Sequence, residues 1–225
     1  MLKDKQILIV SPHPDDEAID SGGLIMLAKR QGAKVFVLYM ATGASRQFTT
    51  GKGETFEDQR IEEAGNASDF GGFDYNIAFG NISTKVDTLP QKDLIEAIED
   101  AVKEIKPDIV VIPYRDSYSQ DHRAVATACV SAFRPIPEAI HPQPKLILEV
   151  EEPTVWPSAP QPNFYFDISE VFKDKIELYK CHVSQLVKEP HYRSFENLER
   201  LAGMRGAEIG VRYAEAYRLL KGQLL

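Results

Sequence analysis

Four short apolar runs recur along the first half of the chain, and the stretches between them carry helical spacing. Gln6–Val10, Val35–Met40, Tyr75–Phe79 and Asp108–Pro113 read as strands. Between them, one helix is expected from Asp20-Ser21 to Gln31, where Gly32 stops it, and another from about Thr55 to Phe70. Thr55-Phe56-Glu57-Asp58 has the form of a capping box with Asp in the Glu place. Leu94, Ile98, Val102 and Ile105 mark a third helix that ends at Pro107. The fourth run is almost wholly apolar, as a strand covered on both faces must be. This alternation predicts an α/β fold with a parallel sheet and right-handed crossovers.

The second half is less regular. Prolines at 135, 137, 142, 144, 153, 157 and 160 interrupt a rim at about 135–162, within which only Leu146–Val150 reads as a strand. Phe164–Ile168 is expected to return to the sheet, followed by a long helix from about Glu170 to Leu186 and a last helix over Glu208–Leu220. At 225 residues the economical organisation is one domain, 1–225. A net charge of −8 argues against a surface built for nucleic-acid backbone or anionic lipid. No run approaches the roughly 20 apolar residues needed to cross a bilayer, so no membrane insertion is expected. The N-terminal apolar stretch is too short for a signal-peptide core, and Cys129 and Cys181 form no Cys-x-x-Cys pattern. A reducing, cytoplasmic location is the expectation.

Two segments carry the chemistry. Directly after the first strand comes Ser11-Pro12-His13-Pro14-Asp15-Asp16-Glu17, and after the fourth comes Tyr114 to Arg123, which contains Asp121-His122. In a parallel sheet both lie at the carboxyl ends of strands, where α/β folds bind ligands. His13, Asp16 and His122 can therefore form a two-histidine, one-carboxylate face on a metal, with a position left for water. Such a set suits catalytic Zn2+, and it can also hold Fe2+, Co2+ or Mn2+. Asp15, beside the ligand Asp16, is placed to take a proton. Glu17 is expected to contact a backbone or other supporting donor near the helix start, and Asp121 either to orient His122 or to cap its helix. His182, read as lying on a helix with Leu178 and Leu186, is a site residue or a structural one. Arg46 either holds substrate hydroxyls or an anionic group, or is solvated. Gly22-Gly23 lacks the companions of a phosphate loop and reads as permitting close packing. Trp156, Tyr165 and Tyr192 are candidates for a sugar-stacking wall or for the core.

The Pro-His-Pro-Asp-Asp-Glu run resembles the signature of the LmbE/PIG-L family of zinc-dependent N-deacetylases, which act on N-acetylglucosamine-containing substrates. Asp121-His122-Arg123 is similar to that family's second motif, and Arg60 with Glu63 to the Arg-x-x-Glu of its second helix. Phe166-Asp167-Ile168-Ser169, Lys175 with His182-Val-Ser184-Gln185, and Arg205-Gly206 with Tyr213-Ala214-Glu215-Ala216 extend the resemblance to the C-terminal part. The resemblance implies that His13, Asp16 and His122 hold zinc and that Asp15 is the general base. Many members carry a histidine three residues before the second zinc histidine. Here Ser119 stands in its place, so oxyanion stabilisation or protonation of the leaving amine falls to Tyr118, His182 or the metal.

The expected protein is a Rossmann-like α/β metalloenzyme that hydrolyses the N-acetyl group of a small-molecule amino sugar, with Arg46, Tyr118, Ser119 and His182 as candidate substrate contacts. The alternatives are a thiol-conjugate amidase of the same family and a metal- or sugar-binding protein that has lost catalysis. A nicotinamide-binding role is disfavoured by the missing glycine fingerprint.

Overall fold

The structure is a computed structural model that describes residues 2–43, 54–82, 84–154 and 156–223. Strand β1 (Gln6–Ser11) leads into helix α1 (Asp16–Gln31), β2 (Lys34–Tyr39), α2 (Glu54–Gly71) and β3 (Asp74–Ile77). Then come α3 (Gln91–Ile105), β4 (Ile109–Ile112), α4 (Gln120–Ala132), β5 (Leu146–Val150) and β6 (Phe164–Asp167). Helices α5 (Phe172–Lys180) and α6 (Phe195–Ile209) precede the last strand, β7 (Ala214–Gly222).

The sheet runs β3-β2-β1-β4-β5-β7-β6. Strands β1 to β5 pair in parallel, and β7 lies antiparallel between β5 and β6. The expected mostly parallel, helix-flanked architecture is thus the observed one. Period-two alternation builds two cores: Ile7 and Ile9 face α1, α2, α5 and α6, while Leu8 and Val10 face α3 and α4. Strand order reverses between β1 and β4. The chain leaves these two neighbours toward opposite faces of the sheet, which opens a crevice at their carboxyl ends.

Four features of this frame differ from expectation. Helix α1 begins at Asp16, a turn earlier than Asp20-Ser21. Asp15, its N-cap residue, uses its side chain elsewhere and makes no cap hydrogen bond, so the usual capping signal is missing. The helix predicted to reach Leu186 ends at Lys180, because the chain turns at Cys181-His182 into a short 3-10 turn over Val183–Gln185. The predicted last helix over 208–220 is replaced by α6 and β7. Ser194 caps α6 by accepting from Asn197 N at 3.3 Å, and Gly210 ends it in the left-handed region. Helix α2 already includes Glu54, so Thr55 lies inside it rather than at a cap.

Strand β7 also braces α1. Glu215 accepts from Gly23 N at 2.6 Å and Leu24 N at 2.7 Å, and the buried Lys175 Nζ donates to Glu215 at 2.5 Å and to Ile19 O at 2.7 Å. A Cβ on Gly23 would lie 2.6 Å from Ile168 Cγ2 and 2.9 Å from the Glu215 carboxyl, so only glycine lets the helix approach this closely. Among the described residues no helix is long and apolar enough to cross a membrane.

Candidate active site

The two loops that flank the strand-order reversal bring His13, Asp16 and His122 together. One ligand atom from each lies within 4.8 Å of the others. His13 Nδ1 stands 3.5 Å and His122 Nε2 3.3 Å from Asp16 Oδ2. The outer nitrogens are committed: His13 Nε2 donates to Asp121 Oδ2 and His122 Nδ1 to Glu152 Oε1, each at 2.9 Å. In the neutral imidazoles these bonds leave a lone pair turned inward, the arrangement that metal-ligating imidazoles require. The donor set therefore fits a divalent ion.

Asp121 orients His13, not His122. Its carboxylate is buried and also accepts from Thr84 N at 2.7 Å and Val86 N at 3.1 Å. Glu152 directly follows β5 with Glu151 and was not anticipated, although the rule that drew attention to β1 and β4 applies equally to β5. Burial opposes charge on Asp16, but His122 and His13 outweigh it and hold Asp16 well below the usual carboxylate range. Burial likewise disfavours the imidazolium forms. The Asp121 and Asp16 bonds nevertheless keep His13 above its ordinary value, and Asp16 with Glu152 keeps His122 well above it. Metal uptake must displace these protons, so it weakens as pH falls. Glu152→Ala or Asp121→Ala is expected to weaken metal affinity about 10- to 100-fold, measured by competition with a chromophoric chelator; unchanged affinity would refute the supporting role.

Asp15 is not a free carboxylate. Its backbone sits at φ 117°, a strained value for a residue with a side chain, and Glu17 Oε2 accepts its N–H at 2.9 Å. Arg60 Nη2 donates to Asp15 Oδ1 at 3.0 Å and Arg193 Nη1 to Oδ2 at 2.9 Å. Arg60 is itself buried and donates to Thr42 O at 3.1 Å and to Pro14 O. Gly43, at φ 72°, makes room for it: a Cβ there would lie 2.8 Å from Arg60 Nη2 and 2.9 Å from His13 Cβ. The Arg60–Glu63 pattern was visible in the sequence, but its link to Asp15 was not. Arg193 carried no signal at all, because it arrives from an irregular segment 178 residues away.

His182 does not reach the ligand space. It is fully buried behind Glu17, donating from Nε2 to Glu17 Oε1 at 2.6 Å, so its candidacy as a substrate contact is corrected to a structural role. Burial disfavours its charged form, yet Glu17 holds its pKa above the ordinary value. Ser119 N-caps α4, accepting from His122 N at 3.5 Å. Arg46 lies outside the described residues.

A cavity of about 170 Å³ opens over the triad. Tyr118, Ser119, Tyr192, Arg193 and Asp20 share its wall with Asp15 and Glu152. The Tyr118 and Tyr192 hydroxyls hydrogen-bond to each other, and their rings meet edge to face at 6.1 Å. Burial and the Tyr192 hydroxyl push the Tyr118 phenol up, so it stays protonated. Of the three candidate stacking aromatics, Tyr192 is the one among the described residues that lines the cavity; Tyr165 sits on β6 and Trp156 is 74% exposed. Burial, together with the charges of Asp16 and Glu152, raises Asp20 well above the ordinary carboxylate range.

A profile of the PIG-L family, described as GlcNAc-PI de-N-acetylase, matches residues 8–133. The diacetylchitobiose deacetylase of Thermococcus kodakarensis is 25% identical over 234 residues, covering 98% of this chain and 85% of that protein. The probable N-acetyl-alpha-D-glucosaminyl L-malate deacetylase 2 of Bacillus cereus is 27% identical over 192 residues, 81% of this chain and 84% of that protein. Among solved structures, GalB, the 4-carboxy-2-hydroxymuconate hydratase of Pseudomonas putida KT2440, matches with a TM-score of 0.79 at 22% identity over 98% of both chains. That last likeness is one of fold, and it shows that this fold also carries other chemistry.

Proposed function

Since the chain belongs to the PIG-L family of GlcNAc-PI de-N-acetylases, we propose that it is a metal-dependent hydrolase that removes the N-acetyl group from an N-acetylglucosamine-containing substrate, giving acetate and the free amine. The observation that carries this reading is the inward-facing His13–Asp16–His122 set with the pinned carboxylate of Asp15 beside it. Two deacetylases of N-acetylated sugars among the relatives support it.

His13, Asp16 and His122 would hold the ion, and Zn2+ suits this donor set, with Fe2+, Co2+ and Mn2+ as the other candidates. When bound, a divalent ion supplies Lewis acidity toward the amide carbonyl and a water whose pKa falls to roughly 7. The protein supplies the proton handling. Each Asp15 oxygen accepts one guanidinium bond and retains a lone pair, so the carboxylate can take the proton of the attacking water and return it to the departing nitrogen. Arg60 and Arg193 keep it aimed during both transfers. With Ser119 committed to the α4 cap, the Tyr118 hydroxyl is a neutral donor on the cavity wall that can face a developing oxyanion.

Chelation followed by readdition of each metal tests the cofactor assignment. Release of free amine from N-acetylglucosamine compounds should vanish on chelation and return with one or more of the four ions. Full activity in metal-free protein would contradict it.

A further inference from the structure

We propose that Asp20 is a specificity-determining residue: its carboxyl accepts a hydrogen bond from a hydroxyl or ammonium group of the bound substrate. This deepens the deacetylase reading and rests on it for the identity of the cleaved bond.

Asp20 lies one helical turn after Asp16 on α1, so the two share a face, and it is half-buried on the cavity wall. Its neighbours are all engaged. Asp15 holds two arginines, Asp16 faces two histidines, Asp121 fixes His13, and Glu17 joins His182 to the Asp15 N–H. Among the described residues no hydrogen bond or ion pair reaches the Asp20 carboxyl.

A second acceptor nearby is also unmatched. Glu152 is 6% exposed and lines the same cavity, and its Oε2 has no hydrogen-bond partner among the described residues. Buried acceptors without donors are unfavourable, and a ligand that brings donors relieves this. The described basic side chains nearby spend their donors elsewhere. Lys175 is committed to Glu215 and Ile19 O, and the guanidinium groups of Arg60 and Arg193 turn to Asp15. Sugar hydroxyls and amines bring the missing donors to the Asp20 carboxyl and to Glu152 Oε2.

The test is calorimetric binding of N,N′-diacetylchitobiose to metal-loaded wild type, Asp20→Ala and Asp20→Asn, alongside amine-release kinetics. Asp20→Ala should weaken binding about tenfold or more and raise KM by a similar factor, with a much smaller change in kcat. Asp20→Asn, which keeps an acceptor oxygen, should fall between the two. Equal Kd and KM in all three proteins would overturn the proposal. So would a loss in Asp20→Ala confined to kcat. If sugar binds without amine release, the deacetylase reading fails, and the Kd comparison still decides the role of Asp20. Should Asp20→Ala misfold, Asp20→Asn alone decides, with unchanged Kd as the refuting result.

Discussion

Asp15→Asn is expected to bind metal like wild type and to turn over about 10³-fold more slowly, within the range that positioned acid–base groups contribute. The reason lies in how the residue is held. A backbone at φ 117° is unfavourable for aspartate and persists only where the surroundings over-determine it. Here Glu17 accepts the Asp15 N–H, while Arg60 and Arg193 take one side-chain oxygen each. Asparagine has the same shape and can keep one of those guanidinium bonds. It presents an NH2 group to the other arginine and has no basic oxygen to receive a proton. None of the three metal-facing atoms belongs to Asp15, so elemental analysis should find the same metal content in both proteins. A variant whose kcat stays within tenfold of wild type would remove Asp15 from the proton-transfer role.

The largest stability effect is expected from Lys175→Met. The Lys175–Glu215 pair is buried, with side-chain exposures of 6% and 5%. Removing one partner of such a pair leaves an uncompensated charge and destabilises by about 3–5 kcal/mol. For a chain of this size that corresponds to a fall in Tm of about 6–20 °C. The damage would not stay local. Glu215 also accepts from Gly23 N, Leu24 N and the Tyr217 hydroxyl, and Lys175 donates to Ile19 O. These bonds clamp the first half of α1, which carries Asp16 and Asp20 to the cavity. Thermal unfolding of metal-loaded protein checks this, and a shift of less than about 2 °C would show that the pair contributes no more than an exposed one.

Parallel strands announce themselves, and this chain shows why. Buried on both faces, β1 and β4 are built on unbroken apolar runs and β2 and β5 are largely apolar, and a site at their carboxyl ends follows from topology. From sequence, that logic brings His13, Asp16 and His122 to one sheet edge, where the structure holds them together. It did not reach β7, whose Ala-Glu-Ala-Tyr-Arg-Leu-Leu stretch is rich in helix formers; pairing between β5 and β6 overrides that propensity. It misplaced the start of α1 because the capping residue spends its side chain on the site. Partners were harder to see than ligands. The orienters Asp121 and Glu152 and the clamps Arg60 and Arg193 meet their targets across 30 to 178 residues, where no local spacing reports them. His182 carried a family motif, yet a motif histidine can serve by being buried, and burial is a tertiary property.

The central claim is that His13, Asp16 and His122 hold a metal at which an N-acetyl sugar is hydrolysed. It is tested most directly by amine and acetate release from N,N′-diacetylchitobiose with zinc-loaded wild type beside His122→Ala. The account predicts equimolar amine and acetate from the first, and loss of both tight zinc binding and turnover in the second. Equal turnover by His122→Ala would contradict it, as would silence from wild type with zinc bound across a panel of N-acetylglucosamine compounds.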